Sequence, residues 1–321
     1  MKNIMKTYGS KLPSLIILLV FLLVPLLPIQ ALPFVLNLLI MAFVYICLSE
    51  SWNVLAGFCG LLSMGHCAFF GLGAYVTVYM ILNLNMHLIP AVLIAILFNA
   101  ILAGIVGAIS IRVKDIFFAM VTLAVAQILF SLSNQWIAVT RGARGLIMPP
   151  VFSYSRVTMY YVALALVVLF VLLMQFIRKS RMGTKLIALR ENEMLAQSLG
   201  VNTGKMKIIA TIVSAAMASL VGSFYVIYVR SVQPGSVFTF SVTMKIMIVA
   251  FIGGKGTVKG PLLGAIIIII DELIRGWLGG TYAGLPGILY GIILVVVVLF
   301  MPNGLISIFQ KQAQRANAQK M

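Results

Sequence analysis

The chain has 321 residues, of which 62% are hydrophobic and only 9% are charged, and its mean hydropathy is +1.14. One core cannot hide that much apolar surface in a soluble globule, so the composition indicates an integral membrane protein. The formal net charge of +17 could suggest a nucleic-acid partner. The basic residues instead flank apolar runs, which is typical of membrane insertion, and we expect no nucleic-acid partner.

The apolar runs predict an all-α, polytopic fold with about ten transmembrane helices, forming a single transmembrane domain over residues 1–321 in contact with membrane lipid. Runs such as 157–177 and 208–229 hold no charged residue and are long enough to cross a bilayer as a helix. In chain order the predicted spans are 13–31, 34–53, 60–83, 88–111, 116–137, 157–177, 206–229, 240–254, 258–275 and 284–301.

The distribution of basic residues predicts the orientation of these spans. With both termini in the cytoplasm, 17 of the 23 Lys and Arg residues fall on the cytoplasmic side and five fall outside, with Lys245 left within the eighth span. The reverse orientation would place the excess of positive charge outside, against the positive-inside rule. The charged loop at about 178–204 is therefore expected in the cytosol. The longest outer loop, 138–156, is either a surface for an extracytoplasmic partner or a solvated connector.

This cytosolic loop is predicted to contain two short helices. Thr184 can cap the first, and Asn192 can cap the second, which Gly200 would end. Apolar side chains follow each cap, namely Leu186, Ile187 and Leu189 on the first helix and Met194, Leu195 and Leu199 on the second. A short helix with an exposed apolar side favours a plug that docks into another protein. An amphipathic helix lying on the lipid surface is the alternative.

Two spans contain unusually many small residues. Residues 57–73 include five glycines, which permit close backbone approach or mark a broken helix that lines a cavity. The seventh span has two ridges of small residues at four-residue spacing, which predicts a position inside the bundle. The ridges are Ser214, Ala218 and Gly222, and Ala215, Ser219 and Ser223.

Signals for catalysis are weak, and we expect no catalytic residue, metal or cofactor. His66 and His87 belong to no zinc-binding pattern, and buried His66 is expected to be a packing residue more often than a ligand. The stretch 253–257, GGKGT, lacks the spacing of a phosphate-binding loop. Any ATP hydrolysis must therefore occur on another chain.

Ionisable residues at membrane depth are costly, so a functional role is the default hypothesis for each of them. Glu50 and Lys245 are the two candidates, although either could extend to the membrane surface. Near the outer face, Asp271 and Glu272 stand beside Arg275 at helical spacing, which predicts a local ion pair.

Eight short motifs, taken together and in order, resemble the permeases of branched-chain amino-acid ABC importers. The stretch FFAMVTLA resembles the larger, M-type permease. The motifs are NVLAG (53–57), LSMGHCAFFG (62–71), GAY (73–75), FAMVTLA (118–124), ALRENE with AQSLG (188–200), GGKGT (253–257), GPLLGA (260–265) and PNGL (302–305). Lys245 in the apolar eighth span and Cys67 in place of a smaller residue depart from the family pattern.

The resemblance implies a multi-pass permease subunit in the bacterial cytoplasmic (inner) membrane. Its partners would be a second related permease, two cytosolic ATPase subunits and an extracytoplasmic substrate-binding protein. The substrate would be a branched-chain amino acid, with urea, amides or other amino acids as alternatives. Transport would proceed by alternating access, for which the candidate path residues are Ser63, His66, Thr122 and Lys245. The ATPase-coupling loop would include Arg190, Glu191, Asn192, Glu193, Met194, Leu195, Ala196, Leu199 and Gly200.

Two other classes of protein are less consistent with the sequence. A stand-alone secondary transporter would need carboxylates at membrane depth, for which Glu50 is the candidate, and two similar halves, which are not seen. An integral-membrane enzyme would need a cluster of His, Asp or Cys near one face, and the sequence has none.

Overall fold

The computed structural model describes residues 19–26, 32–111, 115–149 and 154–278, together with positions 288, 292 and 295. Most of the first predicted span and nearly all of the tenth lie outside these residues, as does the PNGL motif. The described chain is mostly helical, which confirms the predicted all-α fold. Besides helices and loops it contains a pair of two-residue strands that the sequence did not indicate.

The first long helix, α1 (Leu32–Asn53), continues directly into a π-helical segment, Val54–Cys59. The helices that follow are α2 (His66–Leu84), α3 (Leu88–Ser110), α4 (Asp115–Gln135), α5 (Ile137–Thr140), α6 (Arg156–Lys179), α7 (Arg181–Glu191), α8 (Glu193–Ser198), α9 (Thr203–Val229), α10 (Pro234–Val237), α11 (Phe240–Gly253), α12 (Gly260–Gly264) and α13 (Ile266–Leu278). Short 3-10 turns form at Val24–Leu26 and Gly142–Arg144, and the strands are β1 (Leu146–Ile147) and β2 (Ser231–Val232).

Seven described helices are long and apolar enough to cross a membrane, and they correspond to the second through eighth predicted spans. The ninth, predicted over 258–275, is instead two helices that meet at Ala265. The first of these, α12, lies directly against α11. A Cβ at Gly264 would stand 1.9 Å from the carbonyl oxygen of Val249, so only glycine permits this approach.

The helix that follows the cytosolic loop, α9, lies inside the bundle against α1, α2 and α3. A Cβ added at Gly222 would come 2.1 Å from the carbonyl oxygen of Phe70 on α2. Buried hydroxyl and amide groups join the same helices, with Thr77 Oγ1 and Ser223 Oγ 2.7 Å apart and Asn99 Nδ2 donating to Ser219 Oγ at 2.9 Å. The ridges of small residues therefore predicted the interior position of α9 correctly.

The loops cluster at two opposite ends of the bundle. β1 pairs with β2 in antiparallel register, Leu146 opposite Val232, and so joins two loops that the charge rule placed outside. At the other end, Arg190 of the predicted cytosolic loop contacts the end of the π-helical segment. The contacts thus bring together loops that were predicted to share a side of the membrane.

Candidate functional site

The first helix of the charged loop, α7, begins one turn earlier than predicted. Its cap is Ser180, whose Oγ accepts a hydrogen bond from the Gly183 amide at 3.2 Å. Thr184 lies inside the helix, so its assignment as the cap was wrong. The reason is that Ser180 alone separates α6 from α7, and its extended backbone provides the cap geometry. The apolar side of α7 faces the bundle, where Leu186 and Leu189 are buried.

The second helix, α8, has the two ends that the sequence predicted. At its start, Asn192 Oδ1 accepts from the Leu195 amide at 3.0 Å. At its end, the Gly200 amide donates to the carbonyl of Gln197 at 2.9 Å and the Val201 amide to that of Ala196 at 3.0 Å. This is a Schellman motif, and Gly200 takes its left-handed conformation with a φ of +80°.

One side of α8 is attached to α9 by a partly buried contact. Lys207, whose side chain is only 5% exposed, places Nζ 2.8 Å from Glu193 Oε1. Gln197 Nε2 donates to Thr203 Oγ1 at 2.8 Å, and the side chain of Ala196 on the same helix is buried. A six-residue helix would not be stable alone, and this charged pair, with one member buried, holds it in place.

The other side of α8 is apolar and exposed. Met194 is 80% exposed, Leu195 60% and Leu199 74%. We call these three side chains the α8 apolar patch. Since the opposite side of the helix is anchored, the patch is presented in a fixed orientation, which is the arrangement a docking partner needs.

Arg190, whose side chain is 34% exposed, reaches back to the bundle. Its Nη1 donates to the carbonyl of Gly57 at 2.7 Å, and its other guanidinium nitrogens pair with the exposed Glu191. The loop is therefore attached to the π-helical segment that ends α1.

Three of the four predicted path residues lie together at the break between α1 and α2. Thr122 Oγ1 on α4 accepts from the Met64 amide at 3.1 Å. Ser63 is buried, and its carbonyl accepts from Trp52 Nε1 at 2.8 Å. His66, also buried, has Nε2 2.8 Å from Ser51 Oγ. Non-helical backbone at membrane depth needs partners of this kind.

Two polar atoms at this break have no hydrogen-bond partner among the described residues, Ser63 Oγ and His66 Nδ1. Ser51 and Ser214 also belong to this cluster, because Ser214 Oγ donates to the Ser51 carbonyl at 2.6 Å. Neither residue was identified from the sequence as part of it. Ser214 had one signal in the sequence, its position on a ridge of small residues. No spacing rule connects Ser51 with His66.

Lys245 is separate from the other three path candidates. On α11, Thr243 Oγ1 faces the start of α2 and accepts from the Cys67 amide at 3.1 Å. Lys245, two residues later, is on the opposite side of α11, with Nζ 3.0 Å from Asp271 Oδ2 on α13 and 5.7 Å from the centre of the Tyr45 ring. The prediction from spacing paired Asp271 with Arg275, whose side chain lies outside the described residues.

Glu50, the other ionisable residue predicted at membrane depth, is fully buried, which excludes extension to the membrane surface. Neither carboxyl oxygen has a hydrogen-bond partner in the part of the chain that the structure describes.

A cavity of about 800 Å³ lies at the opposite end of the bundle from the charged loop, between the ends of α1, α6 and α9. None of the four predicted path residues lines it. Over the described ranges, no three His, Cys, Asp or Glu residues form a metal-binding group.

The chain is similar to known transport permeases over most of its length. A family profile described as "Branched-chain amino acid transport system / permease component" matches residues 34–301. The high-affinity branched-chain amino acid transport system permease protein LivM of Salmonella typhimurium is 26% identical over 309 residues, which is 87% of this chain and 71% of that protein. LivM of Escherichia coli is 27% identical over 304 residues, covering 85% and 70%.

A second kind of permease protein matches as well. LivH of Escherichia coli is 26% identical over 294 residues, or 82% of this chain and 91% of LivH. No solved structure matches the chain. The profile covers far more than half of the chain and the fold is that of a multi-pass membrane protein. The chain belongs to the branched-chain amino acid transport permease family.

Proposed function

We propose that this chain is the membrane-spanning permease subunit of an ATP-binding-cassette importer for branched-chain amino acids. The observation that supports this most directly is the α8 apolar patch, which is exposed on a helix anchored between two spans. An apolar patch of this kind on an isolated chain favours a protein partner over solvent. A cytosolic ATPase subunit is the partner that an importer of this family requires.

The proposed assembly contains a second related permease, two ATPase subunits and an extracytoplasmic binding protein. Similarity to both LivM and LivH supports the pairing of two permeases. In the proposed assembly this chain forms one permease domain and leaves nucleotide binding to the ATPase subunits. Its part is to move the substrate inward by alternating access, without making or breaking bonds. ATP-driven movement of the ATPases would shift α7 and α8, and α9 would transmit the shift into the bundle.

The substrate class is inferred from the family. Lys245 is the residue that departs from the family's sequence pattern and so bears on this inference. Urea, amides or other amino acids are the alternatives within the same mechanism. Competition for uptake in cells that express the importer separates them. Leucine, isoleucine and valine should compete with one another, and competition by urea or an amide alone would reassign the substrate.

Co-purification tests the assembly. A tagged full-length chain, extracted in mild detergent from its native membrane, should bring down subunits with ATPase activity. Recovery of the chain without any ATPase, under conditions where the tagged ATPase brings down other permeases, would contradict the proposal. Such a result would favour the stand-alone secondary transporter.

We further propose an inner-membrane location with both termini in the cytoplasm, supported by the distribution of Lys and Arg residues. The three native cysteines, Cys47, Cys59 and Cys67, are buried, so single introduced cysteines can report topology. On intact spheroplasts, a membrane-impermeant thiol reagent should label Arg144→Cys and spare Lys185→Cys. Labelling of both variants from the same side would refute the proposed topology.

A further inference from the structure

We propose that Arg190 is the positioning residue that closes the cytosolic end of the α1 π-helical segment and links the movement of α8 to the break between α1 and α2. This inference rests on the proposed function. It deepens that function by naming the contact through which the loop acts on the interior.

The π-helical segment ends with carbonyl groups that its own helix cannot satisfy. At its end, Gly60 has a φ of +85°, and the amides of Gly60 and Leu61 both point at the carbonyl of Leu55. The carbonyls that follow Leu55 are therefore left at the negative end of the helix dipole. One of these, Gly57 O, accepts from Arg190 Nη1 at 2.7 Å. A guanidinium suits this position because it brings a positive charge and several directed donors.

Glycines create the space for this guanidinium. A Cβ at Gly256 would lie 2.7 Å from Arg190 Nη1, and a Cβ at Gly60 would lie 3.2 Å from Arg190 Cγ. At Gly57, a Cβ would lie 1.9 Å from Asn53 Oδ1. The geometry therefore assigns Gly60 and Gly256 to the Arg190 contact, and Gly57 to the close approach of Asn53.

Asn53 makes the contact a three-way junction. Its Oδ1 accepts from the Gly256 amide at 2.7 Å, and its Nδ2 donates to the Thr257 carbonyl at 2.9 Å. The turn between α11 and α12, the end of α1 and the end of α7 are thus joined within a few ångströms. We call this group, Asn53, Gly57, Arg190, Gly256 and Thr257, the Arg190 junction.

The Arg190 junction lies between the α8 apolar patch and the polar break. On one side, Arg190 is two residues from Asn192, the cap of α8, so a displacement of α8 reaches it directly. On the other side, the π-helical segment leads within a few residues to Ser63 and His66. A π-helical segment is rare and less favourable than an α-helical one, and such segments occur often at functional sites. It is therefore an element whose geometry a single capping contact can control.

The reactivity of Cys59 reports this geometry without requiring any partner protein. Cys59 belongs to the π-helical segment and is 1% exposed. In a chain that carries Cys47→Ala and Cys67→Ala, it is the sole thiol. Arg190→Ala should raise its rate of maleimide labelling by about tenfold or more, the size expected when one charge-assisted hydrogen bond no longer opposes opening. Arg190→Lys, which keeps the positive charge but loses the directed donors of the guanidinium, should give an intermediate rate. Lys185→Ala on the exposed side of α7 is the matched control and should label like the parent.

Pull-down and ATP hydrolysis complete the test. Per ATPase subunit recovered, hydrolysis by the Arg190→Ala complex should no longer be stimulated by substrate. Equal labelling of Cys59 in the parent and in Arg190→Ala would overturn the inference. So would normal substrate stimulation in Arg190→Ala. If the parent recovers no ATPase, the proposed function fails, while the Cys59 rates still decide whether Arg190 closes the segment.

Discussion

Replacing Lys245 with methionine should destabilise the protein by about 3–5 kcal/mol, because the Asp271 carboxylate would stay buried without its ammonium partner. The two side chains are only 15% and 6% exposed, and their charged atoms are 3.0 Å apart. Charges at membrane depth cost several kcal/mol unless they are paired. The measurement is the midpoint of thermal unfolding of the purified chain in detergent, which should fall clearly.

A double variant shows whether the pair itself is responsible. Lys245→Met combined with Asp271→Leu should recover most of the lost stability, since apolar side chains of similar volume often replace a buried ion pair without penalty. Lys205→Met, an exposed lysine at the start of α9, is the control and should leave the midpoint unchanged. An unchanged midpoint for Lys245→Met would show that the pair does not hold α11 to α13.

Replacing Leu195 with aspartate should weaken docking of the ATPase subunits by roughly ten- to a hundredfold. Burial of one leucine side chain contributes about 1.5–3 kcal/mol, and each 1.4 kcal/mol is about a factor of ten in affinity. The anchor of α8 on α9, through Glu193 and Lys207, is untouched by the change, so the chain should still fold and insert. Leu195→Met keeps the volume and apolar character and should bind normally. Equal ATPase recovery by Leu195→Asp and Leu195→Met would exclude the α8 apolar patch as the docking surface.

Gly200 provides an independent way to disturb the same helix. A Cβ at Gly200 would meet no atom within 4 Å, so any effect of substitution comes from the backbone. Gly200→Val should strain the left-handed conformation by about 1–2 kcal/mol and loosen the end of α8, whereas Gly200→Asn should be tolerated. Limited proteolysis of the loop should be faster for the valine variant alone. Equal cleavage of both variants would mean that the Schellman motif does not hold the loop.

Local signals in the sequence predicted the loop well because helix ends depend on a few neighbouring residues. Asn192 and Gly200 were assigned correctly for this reason. Thr184 was assigned wrongly because Ser180, four residues earlier, was already in position to cap α7. The rule that names a cap residue does not choose between two candidates when the preceding helix ends beside one of them.

Contacts between distant segments could not be predicted in the same way. Arg190 and Gly57 are 133 residues apart in the chain, and Lys245 and Asp271 are 26 apart on different helices. Helical spacing suggested Arg275 as the partner of Asp271 because it considers one helix at a time. By contrast, the small residues of α9 predicted close helix packing but could not identify the partner helix. The structure supplies the partner, α2, through Gly222 and Phe70.

Uptake into proteoliposomes tests most directly whether partner ATPases drive this chain through α8. The vesicles contain the permease pair, the ATPase subunits and the binding protein, with ATP supplied on the cytosolic side. The parent chain should accumulate labelled leucine only when ATP is present, and the complex prepared with Leu195→Asp should accumulate almost none. Two results would contradict the proposal that ATPases drive this chain through α8. One is uptake by the parent chain driven by an ion gradient without ATP, and the other is ATP-driven uptake at the parental rate with Leu195→Asp.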